Sequence, residues 1–376
     1  MQKSILSVQY LYPEHNNSFE NQVVSLFAQL KPLINEYFPI KLTFFAMVSS
    51  KSEYQEKLTI IQNEKQINNI VSPVSLVCQS PACNKKLVLE LCLIQISNDI
   101  FEIIYEDDFL LLKNNETEIL FANTLSYKHS EFEHNVSEAF DNLNRIFEKR
   151  KFQYSDVVRQ WNYIQDILKL TPQSDSLKQH YQVFNDYRSI NYQTSNFKEG
   201  YPVATGIGVD QGACGIEVIA IKGVGFNIIP IHNSRQVDAH CYSDHVLVGM
   251  PIEKLKKNSS PKFERAKLFE SEFINMLLVS GTASIIGEET VFLNDVEGQT
   301  QTTIDNIELL LNQAKSTKWK SFKILNYRVY LKNQSDYEKV RDICEEKYGN
   351  APGIIVISDI CRNNLLVEIE CNYIFE

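Results

Sequence analysis

Near the C-terminus, two apolar segments lie on either side of one polar corner, within residues 352–374 (PGIIVISDICRNNLLVEIECNYI). The first segment, residues 354–357, is a β-branched run that predicts a buried strand. The second alternates between apolar and polar residues, which predicts a strand with two unlike faces. One face carries Val367, Ile369 and Cys371, and the other carries Glu368, Glu370 and Asn372. The simplest interpretation is an edge strand with a solvated acidic face, because unpaired carboxylates are rarely buried.

Earlier in the chain, periodic patterns predict helices and strands in alternation. Apolar side chains recur at helical spacing in residues 137–147, and Ser137 is the expected N-cap. Residues 156–167 then predict a strand, and a second helix is centred on residues 179–188. A strand over residues 212–222 closes this part of the chain. The resulting order is helix, strand, helix, strand.

The second half of the chain repeats this order. Residues 302–331 predict a helix and then a strand, residues 337–348 predict a helix, and the two C-terminal apolar segments follow. The two long helices share an Asp-Asn pair, in FDNLNRIF and IDNIELLL. We therefore predict two copies of one fold, a domain of residues 1–224 and a second domain of residues 225–376 that carries the active site. Two ordinary α/β halves with chance similarity stay the alternative.

Composition and charge narrow the classes of function. The 376 residues are 44% hydrophobic and 22% charged, which is typical of a globular protein. A net charge of -10 without a basic run argues against nucleic-acid binding. The eight cysteines lack the paired spacing of a zinc site or disulfide framework, and HCYSDH (residues 240–245) has no partner cluster. No apolar run resembles a signal peptide or a membrane span, so we expect a cytoplasmic protein with free thiols.

Several motifs resemble those of the chorismatases, which cleave chorismate and hold two RidA-like (YjgF-like) domains in one chain. The motifs are PVATGIG (202–208), RQVDAHCY (235–242), PKFERA (261–266), SGTASIIGEET (280–290) and DICRNNLLVEIE (359–370). The resemblance runs from about residue 188 to the C-terminus. It implies an α/β (α+β) fold of two RidA/YjgF-like domains, each a mixed β-sheet packed by two helices. RidA enamine deaminases carry an Arg where this chain has Gly353, so that activity is not expected.

Chorismate carries two carboxylates, so the resemblance implies at least two Arg or Tyr side chains that bind them. Arg235, Tyr242 and Arg265 lie in the motifs similar to the family's. The full set of predicted substrate-binding residues is Arg188, Arg235, Tyr242, Arg265, Gly281, Arg328 and Arg362. An arginine taken alone is more often a surface or structural residue, so each of these stays open at this point.

Cleavage of the enol ether of chorismate needs a proton at the enolpyruvyl methylene, and a carboxylic acid with a raised pKa is the natural donor. The resemblance places the catalytic glutamate on the closing strand. We assign it to Glu368, with Glu370 as the second choice. In the family, a Gly in the SGTAS motif and a Cys seven residues before the glutamate accompany 3-hydroxybenzoate formation, and here these are Gly281 and Cys361.

The resemblance thus favours pyruvate plus 3-hydroxybenzoate as products, over pyruvate plus a dihydroxy-cyclohexadiene carboxylate. No metal or organic cofactor is implied. The expected partner is a small dianion resembling chorismate, with no nucleic acid and no membrane, bound by a monomer or small homo-oligomer. In an enzyme, Glu368, Arg235, Arg265 and Tyr242 are expected to converge on one cleft of the second domain. In the alternative, a non-catalytic RidA-like binding or assembly protein, the arginines scatter and the carboxylates face water.

Overall fold

Three large mixed β-sheets, each with two α-helices, make up the part of the chain that the structure describes. The computed structural model describes residues 6–15, 17–95, 101–173, 176–249, 255, 258–271, 274–315 and 321–375. The predicted class, α+β with mixed sheets packed by pairs of helices, is confirmed. Residues 1–224, predicted as one domain, hold two of the sheets, and the third follows. The three assemblies of sheet and helices are called here the first unit (6–94), the second unit (102–223) and the third unit (226–375).

The first unit has a four-stranded sheet. Its elements are β1 (Leu6–Leu11), α1 (Phe19–Leu33), β2 (Phe38–Ala46), α2 (Lys51–Ile67), β3 (Val74–Val77), β4 (Ser80–Pro81) and β5 (Leu87–Ile94). The strands of its sheet pair in the order β1-β5-β2-β3, whereas β4 pairs with the third unit. Ser18 caps α1, because its side chain accepts a hydrogen bond from the Asn21 N–H. One face of that helix is buried in the core through Val23, Phe27 and Leu30.

The second unit has a six-stranded sheet and a separate two-stranded hairpin. Its elements are β6 (Glu102–Glu106), β7 (Phe109–Lys113), β8 (Thr117–Ser126), α3 (Phe132–Arg150), β9 (Val157–Gln165), β10 (Leu170–Gln173), β11 (Ser176–Gln179), α4 (His180–Tyr192), β12 (Val203–Val209) and β13 (Cys214–Gly223). The sheet order is β12-β9-β13-β8-β7-β6. The prediction of Ser137 as N-cap is wrong, because the apolar face of α3 continues back through the buried Val136 and the cap position is Glu131.

The third unit has a seven-stranded sheet. Its elements are β14 (Phe226–Ile231), β15 (Ala266–Ser271), β16 (Asn275–Ala283), β17 (Ile285–Ile286), β18 (Glu289–Thr290), α5 (Val296–Lys315), β19 (Phe322–Leu331), α6 (Tyr337–Tyr348), β20 (Gly353–Ile357) and β21 (Val367–Phe375). The sheet order is β14-β15-β16-β21-β19-β20-β4, so a short strand of the first unit extends this sheet. The apolar run of residues 273–282 predicts one of these strands. Its first residue, Phe273, lies outside the described residues.

The closing strand β21 lies in the interior of its sheet. It pairs with β16 on one side and with β19 on the other. Glu368 is 5% exposed and Glu370 is 4% exposed. The edge-strand interpretation is therefore wrong, because the acidic face of β21 packs against the second unit instead of facing water. Burial of two neighbouring carboxylates is costly, so their partners decide what each can do.

Three buried ion pairs connect the units in a ring. Each unit contributes one cation and one carboxylate, and each pair joins two different units. The pairs are Lys41 Nζ with Glu217 Oε2 at 2.5 Å, Arg159 Nη2 with Glu370 Oε2 at 2.7 Å, and Arg328 Nε with Glu90 Oε2 at 2.6 Å. Removal of one partner from such a pair leaves an uncompensated buried charge, which costs about 3–5 kcal/mol. The ring thereby fixes how the three sheets face one another.

Candidate active site

A cavity of about 220 Å³ lies between the second and third units, and Glu368 is part of its wall. The third unit supplies the ends of β16 and β21 and the loop between β20 and β21. The second unit supplies the start of α4 and part of β12. Polar or charged side chains in the wall are Gln179, Tyr181, Gln182, Tyr242, Arg265, Cys361, Arg362, Asn363 and Glu368. The predicted cleft therefore lies at an interface of two units rather than within the C-terminal domain alone.

The surroundings of the Glu368 carboxyl favour its protonated form near neutral pH. Burial raises its pKa to about 8, the negative charge of Glu370 adds to that rise, and Arg159 and Arg265 oppose it. On β21 the residue pairs with Ala283 of β16 and Tyr330 of β19, so its backbone is fixed on both sides. A carboxylic acid that is neutral near pH 7 and lies in a cavity can donate a proton to a bound molecule.

Gly281 makes room for the Glu368 carboxyl. A Cβ atom at this position would lie 2.0 Å from Glu368 Oε1, so any other residue would displace the acid. The register of β16 against β21 shifts between Val279 and Thr282, and this irregularity brings the Gly281 backbone close to the carboxyl. The Gly281 N–H donates to Thr205 Oγ1 of the second unit at 3.1 Å. The second unit thus helps to hold the Gly281 backbone in place.

Two arginines flank the ring of Tyr242 in the cavity wall. The guanidinium carbon of Arg265 lies 5.7 Å from the ring centroid, and that of Arg362 lies 5.3 Å from it. Arg265 Nη2 donates to the Tyr242 hydroxyl at 2.7 Å and to the Val237 carbonyl at 2.8 Å. Arg362 Nη1 donates to the Glu288 carbonyl at 2.6 Å. Both guanidinium groups are held in place by the protein, and such groups bind carboxylates well.

Cys361 also lines the cavity, close to the acid. Burial and the nearby Glu368 raise the pKa of its thiol to about 12, so the sulfur is protonated at neutral pH. A thiol in this state is a small, weakly polar group rather than a nucleophile. Cys361 therefore contributes to the shape of the cavity wall and does not act as a nucleophile.

Glu370 belongs to the ion-pair ring and does not line the cavity of Glu368. Its carboxylate accepts hydrogen bonds from Arg159 and Thr205, and from Trp161 Nε1 at 2.8 Å. Burial alone would raise its pKa, but Arg159 and Arg328 outweigh that effect and lower the pKa. Because the lowered pKa keeps the carboxylate ionised, Glu370 is unsuited to donate a proton.

The other predicted arginines lie away from the cavity. Arg188 is buried on α4, with Nη2 bonded to Asn185 Oδ1 at 2.5 Å. Arg328 pairs with Glu90 in the ion-pair ring. Arg235 points toward Asp305, at 3.9 Å, and its backbone pairs with Gly287. The expectation that Arg235 would converge with Glu368 is therefore not met, because its side chain leaves the loop on the side of α5.

The sequence did not predict the residues that the second unit contributes to the cavity wall. They include Gln179, Tyr181 and Gln182 at the start of α4, and Ala204 and Gly206 on β12. The PVATGIG motif contained Ala204 and Gly206, so the signal was present there. A Cβ on Gly206 would lie 2.9 Å from the Tyr181 ring, which explains the glycine in that motif. Tyr181 itself lies in no motif that distinguishes it from an ordinary helix residue.

Neither a metal cluster nor a membrane span occurs in the part of the chain that the structure describes. No three His, Cys, Asp or Glu side chains among those residues are grouped so as to hold a metal ion, and this includes His240 and His245. Within the same residues, no helix has the length and apolar character needed to cross a membrane.

Comparison with known proteins gives matches in sequence. Residues 106–220 match the family described as chorismatase FkbO/Hyg5-like, N-terminal. A 3-hydroxybenzoate synthase from Streptomyces hygroscopicus is 30% identical over 232 residues, which cover 58% of this chain and 64% of that protein. A chorismatase from Streptomyces rapamycinicus is 28% identical over 235 residues, with the same two shares. The matched region thus spans less than two thirds of each relative's length.

A solved structure extends the likeness over the whole fold. A crystal structure of a chorismatase superposes with a TM-score of 0.67 at 19% identity, and covers 98% of this chain and 98% of its own. At that identity the match establishes a shared fold. Together with the sequence matches it confirms the resemblance that the motifs predicted. In its sequence and in its fold, this chain resembles the chorismatases.

Proposed function

We propose that this protein cleaves the enolpyruvyl ether of chorismate and releases pyruvate, with Glu368 as the general acid. The observation that carries the proposal is a buried carboxyl group with a pKa raised to about 8, in a cavity that also holds Arg265 and Arg362. Such a pair of features is typical of acid catalysis on an anionic substrate. The relatives named chorismatase and 3-hydroxybenzoate synthase support the same assignment.

The cavity offers groups suited to a dianion. Arg265 and Arg362 are both available to pair with carboxylates, and Arg265 Nε is buried without a hydrogen-bond partner among the described residues. A substrate carboxylate there would satisfy that donor, because a buried unpaired N–H is costly. The Tyr242 ring lies near both arginines, with guanidinium carbons 5.7 Å and 5.3 Å from its centroid. The apolar part of the wall, with Phe263 and Ile285, suits the ring of the substrate.

The proposed step begins with proton transfer from the Glu368 carboxyl to the terminal methylene of the enolpyruvyl group. The enol ether carbon then becomes an oxocarbenium-like centre, and the glutamate becomes a carboxylate beside it. Arg159 and Arg265 lie near enough to favour that carboxylate, and both lower the pKa of Glu368. The same environment therefore allows the proton to leave, while burial keeps it in place beforehand.

For the products, we favour pyruvate plus 3-hydroxybenzoate. These two products together contain every atom of chorismate, so this route consumes no water. The neighbouring ring hydroxyl oxygen forms a bond to the ring carbon that carries the ether, the bond from that carbon to the enolpyruvyl oxygen breaks, and pyruvate leaves. The ring then loses a proton and becomes aromatic, and the Glu368 carboxylate takes up a proton, which restores the acid. Gly281 and Cys361 stand where the resembled family has them in this branch, and one relative is named for this product. The alternative route, attack of water, gives a dihydroxy-cyclohexadiene carboxylate.

The test is incubation of the purified full chain with chorismate. Pyruvate release is measured with a coupled dehydrogenase, and the second product is identified by chromatography against both candidate acids. Equal amounts of pyruvate and 3-hydroxybenzoate are expected. The dihydroxy acid would overturn the product assignment and leave the acid catalyst standing. Folded protein without pyruvate release would overturn the proposed function and favour the non-catalytic binding protein, which saturable chorismate binding by calorimetry would then establish.

A further inference from the structure

A second cavity, of about 420 Å³, has no part in the proposed reaction. It lies among the sheets of all three units, on the side of the ion-pair ring where Arg159, Arg328 and Glu370 form part of its wall. Apolar side chains from every unit make up most of the remaining wall. They include Val8 and Ile40 from the first unit, Ile119 and Ile219 from the second, and Phe269 and Leu278 from the third.

An apolar space of this size is unusual inside a protein. Protein interiors are close-packed, and each side chain that faces a void loses the dispersion contacts it would otherwise make. A cavity with a largely apolar wall favours ligands with apolar surface, because binding removes both surfaces from water. This cavity is larger than the one around Glu368, at about 420 Å³ against about 220 Å³. Its size is within the usual range for small-molecule sites, roughly 300–1,000 Å³.

Arg159 supplies a directional polar group in the wall. It is 1% exposed, and its Nη2 donates to Glu370 at 2.7 Å and to Thr205 at 2.8 Å. Its Nε and Nη1 are buried and have no acceptor among the residues that the structure describes. An unsatisfied buried donor is costly, and more so on a charged group. A ligand with an acceptor atom at this point would remove that cost.

The charges around the cavity favour an uncharged ligand. The cations in its wall, Lys41, Arg159 and Arg328, are each paired with a carboxylate of the ion-pair ring. The wall also includes Glu36 and Glu116, which are exposed and carry negative charge. An anionic ligand would meet these carboxylates, and the cations among the described wall residues already have carboxylate partners. A neutral acceptor such as a carbonyl oxygen meets no such repulsion.

We propose that this cavity binds an uncharged, largely apolar organic molecule that carries one hydrogen-bond acceptor, with the acceptor at Arg159. Medium-chain ketones are the simplest probes of this class. The site is separate from the cavity of Glu368, so it holds whether or not the chain cleaves chorismate.

The test uses N-phenyl-1-naphthylamine, a neutral dye whose fluorescence rises in apolar surroundings. The full chain is expected to bind one dye molecule, and octan-2-one is expected to displace it. Octanoate, which has the same chain length and a charged head, is expected to compete at least tenfold more weakly. Absence of a saturable fluorescence rise, or equal competition by octanoate, would overturn the proposal. Displacement by pyruvate or 3-hydroxybenzoate at similar concentrations would assign the dye to the other cavity and overturn it as well.

Substitutions in the wall of the larger cavity test whether the dye binds there. Ile119→Phe and Leu278→Phe each add bulk to the wall and are expected to weaken dye and ketone binding at least fivefold. Ile67→Phe, at a position 69% exposed on α2, is the matched control and should leave binding unchanged. A cooperative unfolding transition establishes that each variant is folded. Dye binding in folded Ile119→Phe and Leu278→Phe as tight as in the control would contradict the site. Should both variants fail to fold, the ratio of octan-2-one to octanoate competition on the unaltered chain decides.

Discussion

Glu368 and Glu370 lie on the same face of one buried strand, yet their surroundings shift their pKa values in opposite directions. The pKa of Glu368 is raised to about 8, and the pKa of Glu370 is lowered below its ordinary value. Both are buried, at 5% and 4% exposure, so burial does not separate them. The difference comes from their partners. Two neighbouring carboxylates with separated pKa values are the usual way in which proteins assign an acid and a base.

The partners come from other units of the chain. Glu370 receives Arg159, Trp161 and Thr205 from the second unit, and Arg328 from a neighbouring strand. Glu368 makes no ion pair with a described residue and lies against Gly281 and the cavity. One carboxylate is thereby part of the contacts between the sheets, and the other lies in the cavity, where we propose that it donates a proton. The following variants test that division, from the largest expected effect to the smallest.

Glu368→Gln removes the proposed acid while keeping the shape of the side chain. We expect kcat for pyruvate release to fall by about 10²–10⁴-fold, the range for loss of a general acid. The free energy of unfolding at pH 7 should not fall. The folded-state pKa of this carboxyl is above its unfolded value, so its contribution to stability is complete below about 4.5 and lost as pH rises to about 8, whereas an amide has no such dependence.

The control for that variant is Glu346→Gln, at an exposed position on α6. It should retain the activity and stability of the unaltered chain. A Glu368→Gln protein that keeps more than about a tenth of kcat would remove Glu368 from the role of acid, since even weak general-acid catalysis contributes more than that.

Glu370→Gln tests the structural side of the comparison. It leaves Arg159 without the carboxylate of its buried ion pair, whereas Arg328 keeps its pair with Glu90. We expect the free energy of unfolding in urea to fall by about 3–5 kcal/mol. It also removes a negative charge beside Glu368, so the pKa of Glu368 should decrease. In the activity profile, the loss of pyruvate release at high pH would then begin at a lower pH. Unchanged stability would show that the ion-pair ring does not hold the units together.

Gly281→Ala tests the space that the acid occupies. The added Cβ would lie 2.0 Å from Glu368 Oε1, so the carboxyl must move. A displacement of this size is expected to lower kcat by about 10–100-fold, since misplacement of a catalytic group by about 1 Å can cost that much. Gly215→Ala is the matched control, because its nearest neighbour would lie at an ordinary 3.6 Å. Equal kcat values in the two variants would argue against a fixed position for the acid.

Tyr242→Phe should have the smallest effect. It removes the hydroxyl that accepts from Arg265 at 2.7 Å and leaves the aromatic ring near both arginines. We expect KM for chorismate to rise about fivefold with little change in kcat, which corresponds to roughly 1 kcal/mol, the net worth of an ordinary hydrogen bond. Tyr105→Phe, at a position 54% exposed, serves as the control. A fall in kcat with KM unchanged would instead give Tyr242 a part in the proton transfer.

The sequence was informative wherever a pattern is local. The alternation of β21 placed Glu368 and Glu370 on one face, and the motifs led to Tyr242, Arg265, Gly281 and Arg362, which all line one cavity. The mixed sheets with paired helices were also predictable from periodicity and resemblance.

Contacts between units were not predictable in this way. The periodicity of a strand does not show which strand of another unit packs against it. It therefore could not predict that Arg159 pairs with Glu370, or that Tyr181 lines the same cavity as Glu368. The sequence did not predict the first unit as a separate unit. Its sheet has four strands, and none of the motifs that resemble the chorismatases lies within it. The prediction that Arg235 lies in the cavity was wrong. A motif can indicate the course of a loop, but the direction of a long side chain on that loop depends on neighbours such as Asp305.

The pH dependence of kcat/KM for pyruvate release from chorismate tests the central claim most directly. Because the acid must be protonated to act and its pKa is raised to about 8, activity should hold through neutral pH and fall above about 8. The falling limb should disappear in the residual activity of Glu368→Gln. A limb that begins near the ordinary carboxyl value of about 4.5, or one that persists unchanged in Glu368→Gln, would contradict the account.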